Sequence, residues 1–162
     1  MSYPATKHGY ARRQWLLAAG ASLVMPHLFA AGLPTLPPSI SLVDELRAAL
    51  RKGNPLVVMV SLEGCVFCNA VRGSHLVPLR EQGTDVVQVD MRTTQMTRDF
   101  KGAVATHEQM VLAWGVRVAP TVLFFGPGGI EVAERLKGGY IPDFYGAYLD
   151  DRLATARTRV RA

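Results

Sequence analysis

The stretch Leu56-Val57-Val58-Met59-Val60-Ser61-Leu62-Glu63-Gly64-Cys65-Val66-Phe67-Cys68 decides the fold class. Leu56 to Leu62 is an almost unbroken apolar run rich in valine. Such runs belong to strands buried on both faces, as in a helix-covered sheet. From Cys65 to about Gln82 the pattern is helical, with Gly73 and Pro78 implying a kink or break. The two cysteines thus fall where a buried strand hands over to a helix.

That position gives the pair its chemistry. Backbone N–H groups at a helix start point outward, and the dipole favours negative charge there. A thiolate at Cys65 is stabilised by both, and thiolate is the reactive form of cysteine. Two intervening residues let the sulfur of Cys68, one turn on, reach back to the first. In an α/β chain this arrangement reads as a redox pair. An inert structural disulfide and half of a metal site are the other readings. The first closes almost no loop and so contributes little stability. The second needs two more ligands than two thiolates supply. The expectation is no metal, and no cofactor beyond the redox-active disulfide itself.

Outward from the pair, Ser41 opens a helix with Asp44 as a box-like cap, and Gly53 ends it. Asp85 to Met91 is a second short buried strand. Residues 92–105 are polar and irregular, with a helical turn around Phe100. Thr106 starts another helix, with Gln109 completing a capping box, and the helix stops at Gly115. Thr121 to Phe125 is a third strand. Gly126-Pro127-Gly128-Gly129 is a turn, and Ile130 to Leu136 pairs back as one hairpin strand. Pro142 sits in the first turn of a final helix, whose apolar face is Ile141, Tyr145, Tyr148, Leu149 and Leu153. Strands alternating with helices are parallel, and the last two strands are antiparallel. The order predicts an α/β three-layer sandwich: a mixed sheet with parallel strands plus a C-terminal antiparallel hairpin, and helices on both faces.

The rest of the composition narrows the function. The chain has 162 residues, 49% hydrophobic and 19% charged, which excludes a disordered chain. Net charge is +5, but residues 1–31 hold Lys7, Arg12 and Arg13 and no acid. Without those three, 15 basic residues face 13 acidic ones, so no basic face points to nucleic acid. Residues 1–31 have signal-peptide anatomy: Arg12-Arg13, an apolar stretch from Trp15 to Met25, then Ala30 and Ala31. The stretch is short of the roughly 20 residues a bilayer span needs. Arg12-Arg13-Gln14-Trp15-Leu16 resembles a twin-arginine export signal, although Ala11 and Leu17 depart from its usual flanks. Export to the periplasm is expected, with membrane contact only if this segment stays attached. Residues 32–40, with Pro34, Pro37 and Pro38, form a linker, and the folded domain occupies 41–162.

Val118-Ala119-Pro120-Thr121 immediately precedes the third strand. Together with the C-x-x-C, the strand order and the Gly-rich hairpin turn, it resembles the thioredoxin superfamily over about residues 41–157. The nearest likeness is to exported thioredoxin-like proteins of the sulfur-oxidation-associated type, carried by Glu63-Gly64-Cys65, Asp99-Phe100-Lys101-Gly102 and Gly115 to Phe125. The resemblance implies a thiol–disulfide oxidoreductase in which Cys65 is the nucleophile and Cys68 resolves the mixed disulfide. It also implies that Pro120 is cis, and that Ala119 and Pro120, with Val66 and Phe67, form the substrate platform. Partners would be a protein disulfide or dithiol and a membrane-bound electron donor. Val66-Phe67 replace the Gly-Pro of cytosolic thioredoxins. Met59 stands where those proteins bury an acid, leaving Glu63 as the nearest acid/base candidate. A disulfide-forming oxidase and a non-enzymatic binding module or metallochaperone are the alternatives. His107 is expected at the surface, Trp114, Phe124, Phe125 and Tyr148 in the core, and Arg152, Arg157, Arg159 and Arg161 on a solvated helix end.

Overall fold

The computed structural model describes residues 35–138 and 142–162. The export segment expected over 1–31 lies outside them, as does Ile141. The elements, in chain order, are α1 (Leu42–Arg51), β1 (Leu56–Ser61), α2 (Val66–Val71), a π-helical turn (Arg72–Leu76), α3 (Val77–Glu81), β2 (Val86–Asp90), β3 (Met96–Arg98), β4 (Val104–Thr106), α4 (His107–Ala113), β5 (Thr121–Gly126), a 3-10 turn (Pro127–Gly129), β6 (Ile130–Glu131), β7 (Leu136–Lys137) and α5 (Pro142–Arg161).

The main sheet runs β2-β1-β5-β6, with β7 also on β5. β1 and β2 are parallel, and β1 and β5 antiparallel. Both central strands are buried along their whole length. Alternation then sorts their side chains into two cores. Val57, Met59, Val122 and Phe124 pack with α2, α3 and α5 on one face. Leu56, Val58, Val60, Leu123 and Phe125 pack with α1 and α4 on the other. The fold is thus the expected α/β thioredoxin-like sandwich, with a mixed sheet and helices on both faces.

Several local expectations are corrected. Residues 92–105 hold no helical turn: β3 and β4 form a small antiparallel hairpin. Asp99 folds its tip, where its Oδ1 accepts from the N–H groups of Lys101 and Ala103. Phe100 leaves the tip to pack on Phe125, ring centroids 4.6 Å apart. A Cβ at Gly129, which has φ +73°, would run into that ring, so the glycine lets the two loops close on each other. The strand expected over Ile130–Leu136 is broken in two. Val132 and Ala133 both turn into the core, so the alternation a single strand needs is lost. Arg135 pins the bulge by an ion pair with Glu131 and a hydrogen bond to the Trp114 carbonyl.

Of the segment expected as a linker over 32–40, residues 36–39 join the fold, and 32–34 lie outside the described residues. Leu36 is buried. Ser39 N–H donates to the Gln88 carbonyl at 2.8 Å, and Gln88 N–H donates to the Pro37 carbonyl at 2.9 Å, so residues 37–39 add a short parallel strap to β2. Ser41 does not cap α1 with its side chain; its hydroxyl donates to Asp44. That hydroxyl is the main reason the Asp44 carboxyl titrates below its ordinary value, with Arg47 assisting. The Glu45 carboxylate does the capping instead, accepting from the N–H groups of Ile40 and Ser41.

His107 is fully buried, not at the surface. Its Nδ1 accepts the Asp90 N–H at 3.0 Å, which leaves Nε2 to donate to the Ser39 carbonyl at 2.8 Å. One neutral ring thereby joins α4, β2 and the strap. Thr106 and Gln109 form the expected capping box at the head of the same helix.

On α5, Tyr145, Leu149, Leu153 and Ala156 face the core, whereas Tyr148 is 53% exposed and does not. The helix-end arginines are tethered as well as solvated: Arg159 and Arg161 stay exposed while each holds a backbone carbonyl. Arg157 reaches Asn54 and Thr84, Arg159 the Val132 carbonyl, and Arg161 the Gly53 carbonyl. Tyr145 also meets His75, ring centroids 5.1 Å apart. Burial holds the His75 imidazole below its ordinary value of 6.5, with Asp150 pulling the other way. As pH falls through that range the unfolded chain takes up the proton first, so stability declines with acidification. In urea titrations, His75→Phe is expected to show a smaller loss of stability between pH 7.5 and pH 5 than the parent. An equal loss would assign the dependence to other groups.

Candidate active site

β1 ends at Ser61, and the loop Leu62–Gly64 carries the chain to α2. Gly64 has φ +73°, a left-handed turn that glycine adopts without steric cost. The turn delivers Cys65 to the N-cap of α2, where its Sγ accepts the Cys68 N–H at 3.1 Å. Cys65 and Cys68 are joined by a disulfide, Cα atoms 5.2 Å apart. The two sulfurs are not equivalent. Cys65 is partly exposed, and Cys68 is fully buried among Met59, Val71 and their neighbours. Val66 and Phe67, between them, are 76% and 59% exposed.

The segment before β5 faces the pair. The Ala119–Pro120 peptide is cis, as the resemblance implied. The Ala119 carbonyl oxygen lies 4.0 Å from Cys65 Sγ. Thr121 Oγ1 ties the loop by donating to the Val118 carbonyl at 2.8 Å, and Gly138 N–H donates to the Pro120 carbonyl at 2.7 Å. The Ala119 N–H has no hydrogen-bond partner among the described residues. The Ala119 N–H and the exposed side chains of Val66 and Phe67 are thus the groups around the disulfide that the fold leaves uncommitted.

Beside the loop lies a polar cleft of about 360 Å³, lined among others by Ser61, Glu63, Asn69, Arg72 and Asp90. Arg72 organises it, donating to Gln88, Asn69 and Ser61 at 2.8, 2.7 and 2.8 Å. None of its hydrogen bonds goes to sulfur. Arg72 was invisible as a site residue in the sequence; only its place one turn after Cys68 hinted at it. Glu63 is exposed in the loop at the cleft, and no hydrogen bond among the described residues joins it to either sulfur. Met59 belongs to the same buried cluster as Cys68, and β1 carries no acid. The π-helical turn that follows α2 accommodates Pro78, whose ring would clash with the carbonyl four residues back in a regular helix. Among the described residues no three His, Cys, Asp or Glu side chains cluster as metal ligands, and no helix is long and apolar enough to cross a membrane.

A partly exposed cysteine disulfide-bonded to a buried one at a helix start, across from a cis-proline, defines a protein built around a two-cysteine disulfide on an α/β sandwich. The thioredoxin-like domain family matches residues 42–153, and the chain belongs to that family. No curated protein matches it in sequence. Among solved structures it is similar to a thioredoxin from Thermus thermophilus, at 19% identity over 78% of this chain and 91% of that one, TM-score 0.52. It is also similar to the oxidoreductase DsbH, at 14% identity over 85% and 96%, TM-score 0.52. The periplasmic thioredoxin SoxS of Paracoccus pantotrophus aligns at 18% identity over 63% and 98%, TM-score 0.41. At these identities the likeness is one of fold.

Proposed function

We propose that the protein is an exported thiol–disulfide oxidoreductase that reduces protein disulfides. The observation that carries this reading is the asymmetry of the pair: a partly exposed Cys65 sulfur facing Ala119 and a buried Cys68 sulfur behind it. In the reduced protein, the Cys65 thiolate attacks one sulfur of a substrate disulfide and expels the other as a thiolate, which takes a proton. The Cys68 thiolate then attacks Cys65 Sγ and expels the second substrate sulfur. Two electrons pass to the substrate, and the Cys65–Cys68 disulfide remains. A two-electron donor must reopen it. In an oxidising compartment such a donor draws its electrons from across the membrane, so a membrane-bound dithiol carrier is the expected partner.

The reductive direction is supported by how little beyond the start of α2 would hold a thiolate at Cys65. Among the described residues the only N–H donated to its sulfur is that of Cys68, and Arg72 spends its donors elsewhere. A weakly stabilised thiolate means a more reducing pair. Export is supported by the sequence of residues 12–31, and the sulfur-oxidation-associated type by Gly115 to Phe125.

Equilibrating the pair against glutathione tests the direction. A potential on the order of −200 mV or lower, with reduction of insulin by the dithiol form, is expected. A potential near about −120 mV would make the protein a disulfide-forming oxidase instead.

A further inference from the structure

The loop carrying Pro120 is flanked by cations that no acid among the described residues engages. Arg117 and Lys137 are both exposed, and neither makes an ion pair or a side-chain hydrogen bond among the described residues. The β5–β7 register sets Lys137 opposite Thr121, the residue after Pro120. Arg117 lies three residues before Pro120. Together with Val118, which is 49% exposed, they line a groove of about 250 Å³. The nearby acids are already committed: Glu131 pairs with Arg135, the third cation of the groove, and Glu134 pairs with Arg152. A net positive groove therefore opens beside the backbone that a substrate would contact.

We infer that Arg117 and Lys137 select substrates carrying acidic residues beside the reactive cysteine. The inference rests on the exchange activity proposed above and names its substrate class: an extended segment with a carboxylate over the groove and an apolar side chain over Val66 and Phe67. Charges at the rim of an interface act chiefly on the encounter rate and on partner choice. The cations take no part in bond exchange; the chemistry is unchanged, two electrons moving from the Cys65/Cys68 dithiol to the substrate disulfide.

Two peptides cyclised by one disulfide test this, identical except that Asp and Glu beside one cysteine are replaced by Asn and Gln. The reduced full-length protein is expected to reduce the acidic peptide about three- to tenfold faster at low salt, the size that exposed ion pairs contribute. The ratio should fall toward one at about 1 M salt, where the screening length is about 3 Å. In the Arg117→Glu/Lys137→Glu double variant the ratio should drop below one. Because each ratio is taken within one protein, a general loss of activity does not mimic the result. Should the variant not fold, the salt dependence of the parent decides alone. Equal rates for the two peptides, or a preference that survives high salt, would overturn the inference. Failure to reduce either peptide would instead overturn the exchange activity beneath it.

Discussion

Replacing Cys65 with serine is expected to abolish the proposed reduction of protein disulfides, whereas replacing Cys68 with serine is expected to leave a protein that reacts once and stops. The first change removes the one cysteine of the pair with access to solvent, so the rate should fall at least about a thousandfold, as when a nucleophile is lost. The second leaves Cys65 able to attack, but nothing behind it to resolve the bond. A Cys65–substrate mixed disulfide should then accumulate, visible as a mass adduct that dithiothreitol removes. The single-cysteine proteins thus separate the two roles that exposure assigns to the sulfurs. Adduct formation by Cys65→Ser, or turnover by it, would reverse or remove those roles.

Replacing His107 with leucine is expected to destabilise the domain by about 3 kcal/mol, although the ring lies outside the active site. Leucine fills much of the volume but leaves the part-buried Asp90 N–H and the buried Ser39 carbonyl without their shared partner. Each unsatisfied buried group costs roughly 1–3 kcal/mol. Urea titration measures the total. Hydrogen exchange should localise it, with the Ser39 and Gln88 amides losing protection as the strap loosens from β2. A loss under about 1 kcal/mol, or one without faster exchange at the strap, would mean that the ring merely fills space.

His107 also shows where the sequence stopped being readable. The central strands could be read because burial on both faces leaves a continuous apolar run, and β1 and β5 follow it. Thr106 and Gln109 could be read because a capping box lies within one turn of chain. The site was readable in outline for the same reason: its cysteines, and the proline that faces them, each sit at a junction marked by neighbouring residues. A histidine whose partners are 17 and 68 residues away carries no such mark. Nor do three-residue strands such as β3 and β4, which bury little beyond Thr97. The tethers of the helix-end arginines went unread because local spacing says nothing of the backbone carbonyls of Gly53 and Val132 that receive them. Nothing local marks Lys137 either; the β5–β7 register alone sets it opposite Thr121, beside Pro120.

The strap over β2 has a bearing on solubility. An uncovered outer strand invites a neighbouring molecule to add its own, the first step toward ordered aggregates. Here the same chain occupies part of that border, through Pro37–Ser39. Pro38 has no amide proton to offer outward, so the added layer is a poor template for the next molecule. Two prolines that read as mere spacing thus give the sheet a margin on which stacking ends.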